Sequence, residues 1–153
     1  DAMSEHATQR TIIDATPKQC FDIAVDFDRY PQWASDVKHV AVERYDDDGR
    51  GGDVYYRAAA MGRSTNYRLR YYYGSNPLRM AWKLLEGDLT RKLDGEYEFL
   101  PVGPHGAQTE VVYHLEVELV VPIPGFVKRR AESRIIRTAL EDLRQRVEAS
   151  VTS

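Results

Sequence analysis

The stretch Ser64-Thr65-Asn66-Tyr67-Arg68-Leu69-Arg70-Tyr71-Tyr72-Tyr73-Gly74-Ser75-Asn76-Pro77-Leu78-Arg79-Met80-Ala81-Trp82-Lys83-Leu84 decides the fold. Tyr67, Leu69, Tyr71 and Tyr73 fall on one side of an extended chain, and Asn66, Arg68, Arg70 and Tyr72 fall on the other. A period of two marks a strand with one buried face. Gly74-Ser75-Asn76-Pro77 is a turn, and Met80, Trp82 and Leu84 resume the alternation behind it. Strands joined by so short a turn run antiparallel, because parallel neighbours need a crossover of about a dozen residues.

The pattern extends in both directions. Val40 and Val42 alternate with polar residues ahead of the turn Asp46-Asp47-Asp48-Gly49-Arg50-Gly51-Gly52, and Val54, Tyr56, Ala58 and Ala60 share a face of strand 53–61. Downstream, Glu86-Gly87-Asp88 turns the chain. Leu89, Arg91, Leu93, Gly95, Tyr97 and Phe99 then alternate, as do Thr109 to Leu119 after a longer loop. Residues 8–14 read as a first strand. Thr16-Pro17-Lys18-Gln19 opens a helix, with Thr16 as N-cap, Pro17 where its missing N–H costs nothing, and Gln19 closing a capping box. Tyr30-Pro31-Gln32-Trp33 forms a second short helix. After Pro122-Ile123-Pro124-Gly125, an apolar stripe of Val127, Ala131, Ile135, Ala139, Leu140, Leu143 and Val147 runs along a helix over about 126–149.

One sheet with a single apolar face and one long amphipathic helix bury each other. The expected fold is α+β. A curved seven-stranded antiparallel sheet wraps a long C-terminal helix, with two short helices after strand 1. A single domain is expected over 8–149, with flexible ends at 1–7 and 150–153.

Composition narrows the function. The 153 residues carry a formal net charge of -3, which disfavours general nucleic-acid binding. No apolar run approaches the roughly 18–20 residues of a membrane span. The N-terminus is polar, and the single cysteine, Cys20, fits a reducing cytoplasm.

The run Ala15-Thr16-Pro17-Lys18-Gln19-Cys20-Phe21-Asp22-Ile23-Ala24-Val25-Asp26-Phe27-Asp28-Arg29-Tyr30-Pro31-Gln32-Trp33 resembles the opening of START-like (SRPBCC) domains of the polyketide cyclase/dehydrase and coenzyme-Q-binding branch. Tyr67-Arg68-Leu69-Arg70-Tyr71, Trp82-Lys83-Leu84 and Gly95-Glu96-Tyr97-Glu98-Phe99 resemble it too. The resemblance implies a helix-grip fold and a cavity between sheet and long helix. In that superfamily such a cavity holds lipids, quinones, polyketides or hormones, and some relatives are aromatase/cyclases.

By parity, Tyr56, Tyr67, Tyr71, Tyr73, Tyr97 and Tyr113 point inward as bulky core residues or as a pocket wall with a few hydroxyls. Trp82 shares that face, and Ile135 meets it from the helix. Tyr30 and Trp33 sit where the resemblance places the cavity mouth. Arg91 has inward parity. It is either a strand-end residue reaching solvent or an anchor for a ligand carboxylate, enolate or carbonyl, with Glu86 as partner. Arg91 is also the candidate catalytic group if the protein is a cyclase or dehydratase. Arg68, Arg70, Glu110, His114, Glu116 and Glu118 point outward as charge pairs. No metal and no cofactor are expected, since neither His39 nor His114 has ligand-like spacing to a partner. Lys128, Arg129 and Arg130, followed by Arg134 and Arg137, pair with acids such as Glu132 and Glu141, or meet an anionic protein or membrane surface. The expected function is binding of a small, apolar, oxygen-bearing or aromatic molecule as carrier or sensor. Polyketide aromatase/cyclase activity and a partner-binding module are the alternatives.

Overall fold

The computed structural model describes residues 5–60 and 62–152. Seven strands form one antiparallel sheet: β1 (Glu5–Ile13), β2 (Val37–Tyr45), β3 (Gly51–Ala60), β4 (Arg63–Ser75), β5 (Leu78–Gly87), β6 (Thr90–Val102) and β7 (Gln108–Leu119). Their order is β1-β7-β6-β5-β4-β3-β2. Every neighbour from β2 to β7 is joined by a short connection, and only β1 reaches its place beside β7 by a long path. That path carries α1 (Pro17–Ala24), a 3-10 turn at Phe27–Arg29 and α2 (Tyr30–Trp33). The long helix α3 (Gly125–Thr152) crosses the inner face. The expected fold class is the observed one. β1 starts at Glu5 and α3 runs to Thr152; of the ends expected to be flexible, residues 1–4 and Ser153 lie outside the described residues.

Local chemistry sets the elements. Gln19 N donates to Thr16 Oγ1 at 3.3 Å and Thr16 N donates to Gln19 Oε1 at 2.9 Å, a reciprocal capping box. Asp46 Oδ1 accepts from Asp48 N and Arg50 N, both at 2.9 Å, and Gly49 takes φ 81° to close the β2–β3 turn. The outer face carries the expected ion pairs. Arg70 grips Asp53 at 2.8 and 3.0 Å, and this bonding lowers the Asp53 carboxyl to about 2. Lys92 reaches Glu116 at 3.2 Å and Arg10 reaches Glu110 at 3.4 Å.

The grip is unevenly filled along its length. At one end α1 inserts Phe21 edge-on against Phe99 (5.8 Å between centroids) and Tyr73 (6.1 Å), with Ile13, Cys20, Leu143 and Val147 buried around them. Among the described residues, no helix equivalent to α1 fills the other end. There residues of the first half of α3 and of β3, β6 and β7 line an open space.

Of the irregularities in the sheet, two bear on the site residues read from sequence. Between β4 and β5, Arg68 pairs with Glu86 but Leu69 pairs with Leu84, so Leu85 is an extra residue. Between β6 and β7, Thr90 pairs with Leu119 but Lys92 pairs with Glu118, so Arg91 is extra. A bulge of this kind reverses the facing of the residues beyond it.

Candidate functional site

The unfilled end is a cavity of about 200 Å³. Its wall on the sheet side is a continuous set of cross-strand aromatic pairs. Tyr56 lies opposite Tyr67, Tyr71 opposite Trp82, and Tyr97 opposite Tyr113. Ring centroids within this set are 5.3 Å apart for Tyr56 and Tyr67, 5.7 Å for Tyr71 and Trp82, and 4.5 Å for Tyr97 and Tyr113. Gly95 sits opposite Trp82 and gives the indole its place, because a Cβ there would lie 2.3 Å from Trp82 Cζ2. The roof is α3, contributing Ala131, Glu132, Ile135 and Ala139. Tyr30 and Trp33 close one side. Ala34, Asp36, Ala59, Ile123 and Lys128 line the cavity and also reach solvent, so they mark its mouth.

Hydrogen bonds hold this frame. Asp142 Oδ2 accepts from Ser35 N at 2.9 Å and from Ser35 Oγ at 2.8 Å, tying α3 to the segment after α2. Tyr30 Oη donates to Ala24 O at 2.5 Å. Tyr56 Oη and Tyr71 Oη bond each other at 2.5 Å. Tyr67, Tyr97 and Tyr113 have no such hydroxyl partner among the described residues.

Burial sets the chemistry of these hydroxyls. It pushes the phenols of Tyr30, Tyr56, Tyr71 and Tyr113 well above their usual value. It raises Tyr67 and Tyr97 as well, with the carboxylates of Asp36 and Asp142 adding to the effect. The phenolate form is therefore suppressed near neutral pH, and the wall offers protonated O–H donors to an acceptor oxygen rather than bases.

The site residues named from sequence divide into two groups. Tyr30, Trp33, Tyr56, Tyr67, Tyr71, Trp82, Tyr97, Tyr113 and Ile135 all line the cavity. Three do not. Tyr73 points inward but lies at the packed end, covered by Phe21, with its hydroxyl donating to Gly51 O at 2.7 Å. Arg91 is on the outer side, with its side chain 63% exposed; Nη2 donates to Val120 O at 3.3 Å and Nη1 stands 3.9 Å from Glu118. Glu86 is also exposed and pairs with Arg68, which Glu43 holds at 2.8 Å from its other side. The bulge at Arg91 and the extra Leu85 account for both reversals, and the expected Arg91–Glu86 pair does not form.

The structure adds groups that sequence reading passed over. Glu132 is only 3% exposed and lines the cavity. From sequence it was named only as an acid that pairs with the cations opening α3; Glu141, the other such acid, pairs with Arg144 at 2.6 Å. The available signal was helical spacing: Glu132 lies in phase with Ile136, Leu140, Leu143 and Val147, the buried stripe of α3. Thr65, Thr90 and Asp142 also line the cavity. Among the described residues, one group has metal-ligand chemistry within reach, Glu96, Glu98 and His114. It lies on the outer face, where Arg79 engages Glu96 and Thr8 Oγ1 bonds His114 Nδ1 at 2.7 Å.

A sheet closed on one long helix over an aromatic cavity is the START-like, helix-grip fold. The family model described as polyketide cyclase / dehydrase and lipid transport matches residues 4–148, and the chain belongs to that family. A START superfamily protein from Mycobacterium smegmatis is similar in structure at 24% identity, with a TM-score of 0.87 over 94% of this chain and 97% of that one. The Zhui aromatase/cyclase from a Streptomyces species superposes with a TM-score of 0.83 at 12% identity, over 97% of this chain and 96% of that one. Ara h 8.0201 superposes with a TM-score of 0.69 at 11% identity over 95% of this chain and 99% of that one. These likenesses establish the fold. No curated protein matches the sequence.

Proposed function

We propose that the protein binds a small aromatic molecule bearing acceptor oxygens, a quinone, phenol or short polyketide, and acts as its carrier or sensor. The observation that carries this reading is the cavity wall: apolar ring faces with the hydroxyls of Tyr67, Tyr97 and Tyr113 unbonded among the described residues. Size supports it, since a cavity of about 150 Å³ already admits a benzene ring. The cavity of about 200 Å³ suits one or two rings inside, with any longer substituent leaving through the mouth.

The reading does not need Arg91, the group on which a cyclase chemistry was expected to rest, and that residue lies outside the cavity. A carrier needs traffic through the mouth, and the basic start of α3 at Lys128, Arg129 and Arg130 supplies a contact for an anionic surface beside it. No helix among the described residues is long and apolar enough to cross a membrane.

Native mass spectrometry of freshly purified protein tests the proposal. The wild type is expected to carry an aromatic or lipid-like adduct. Ala139→Phe, which puts a ring into the roof, should lose it while remaining folded. Identical adducts on both proteins would overturn the assignment of the cavity.

A further inference from the structure

Exposed apolar side chains gather beside the cavity mouth. Phe126 is 60% exposed, Val121 55% and Val120 37%. All three lie in the short segment that leaves β7 and opens α3. The segment is held in place: Val120 N donates to Leu89 O at 3.0 Å, Arg91 donates to Val120 O, and Val127 N and Lys128 N donate to Pro124 O at 3.0 and 3.1 Å. These apolar groups are therefore presented on a fixed ledge. Grouped exposure of this kind marks an interaction surface.

Charge surrounds the ledge. Arg129, Arg130, Arg134 and Arg137 are exposed on the first half of α3. Phe126, Arg130, Arg134 and Arg137 step by four, four and three, and so share one stripe. Glu132 is the only acid between Gly125 and Arg137, and it faces the cavity. Cations near a helix N-terminus oppose the helix dipole. The chain as a whole has a net charge of -3, which makes this corner a positive pole on a negative protein.

An apolar ledge beside a stripe of arginines fits a bilayer with anionic headgroups. Phenylalanine and valine enter the acyl boundary while guanidinium groups meet phosphates. An acidic protein face would answer the arginines and leave the ledge unanswered. We infer that this corner docks on an anionic phospholipid bilayer, with Phe126, Val120 and Val121 in the interface and the four arginines on the headgroups. The mouth at Ile123 and Lys128 then opens against the membrane, where an apolar ligand would be collected or delivered. That use of the mouth rests on the cavity reading above; the docking itself does not.

Vesicle sedimentation tests the inference. The protein should pellet with vesicles of phosphatidylcholine and phosphatidylglycerol in equal parts, and stay in solution with phosphatidylcholine alone. High salt should release it. Arg130→Glu with Arg134→Glu should lower the partition coefficient at least about tenfold, and Phe126→Ser roughly fivefold. None of these residues lines the cavity, so melting and titration with 2-naphthol should match the wild type and exclude misfolding. Failure to pellet with the anionic vesicles, or equal pelleting with both, overturns the inference. Unchanged pelleting of Phe126→Ser overturns it too, leaving the arginines to a headgroup film or an acidic protein. If the wild type pellets but binds no 2-naphthol, the cavity reading falls and the docking stands.

Discussion

Gly95→Ala should destabilise the protein and disturb its cavity together. Gly95 faces Trp82 across the β5–β6 pair. An added Cβ would lie 2.3 Å from Trp82 Cζ2, 2.6 Å from Trp82 Cε2 and 2.9 Å from the backbone oxygen of His114. The last contact is on a hydrogen-bonded strand and has little room to yield, so the indole must move. Its neighbours are the rings of Tyr71, Tyr97 and Tyr113, with centroids 5.7, 5.5 and 5.7 Å away. The displacement therefore reaches the cavity wall. Overpacking of a buried site costs about 1–3 kcal/mol, and removing a strand glycine returns about 0.5–1 kcal/mol. The net loss centres on about 1 kcal/mol and reaches about 2.5 kcal/mol, which for a domain of this length lowers Tm by about 2–4 °C at the centre of the range. Thermal unfolding by circular dichroism measures the loss, and Trp fluorescence reports the altered indole site. An unchanged or raised Tm would refute this account of how Trp82 is seated.

Three further outcomes follow from the same structure. Tyr56→Phe or Tyr71→Phe alone should cost about 1–3 kcal/mol by leaving a buried hydroxyl without its partner, and the double variant should cost less than the sum in denaturant unfolding; simple additivity would mean the pair is not coupled. Arg91→Ala should leave 2-naphthol affinity unchanged and cost less than about 1 kcal/mol of stability, as an exposed pair does; a large loss of affinity would put the guanidinium back in the site. Burial raises the tyrosine pKa values in the folded state above the unfolded value of 10.0. The folded protein thus holds more protons at high pH, so stability should be flat to about pH 9 and fall above about pH 10; a pH titration of the unfolding midpoint checks this, and stability rising above pH 10 would contradict it.

The fold was legible because its signals are repeated. Alternation recurs in strand after strand, the box at Thr16 and Gln19 starts α1 as read, and the stripe on α3 needs the sheet face to cover it. The tyrosine wall was legible for the same reason, since strict alternation carries Tyr67 and Tyr71, or Tyr97 and Phe99, to one side. Arg91 and Glu86 were misread because parity counts residues and a single extra residue reverses it. Neither Leu85 nor Arg91 announces a bulge by its chemistry. Tyr73 shows a different limit: its facing was read correctly, but its position along the grip depends on where α1 inserts, a long-range fact no local pattern carries. Glu132 was missed because a carboxylate on a helix reads as solvent-facing, although its phase with Ile136 and Leu140 placed it inside.

The claim that the cavity recognises oxygen on an aromatic guest is tested most directly by titrating the protein with 2-naphthol and with naphthalene under the same conditions. One hydrogen bond from a buried tyrosine is worth about 0.5–1.5 kcal/mol net, so 2-naphthol should bind roughly three- to tenfold more tightly. Equal affinity for the two, or tighter binding of naphthalene, would contradict it.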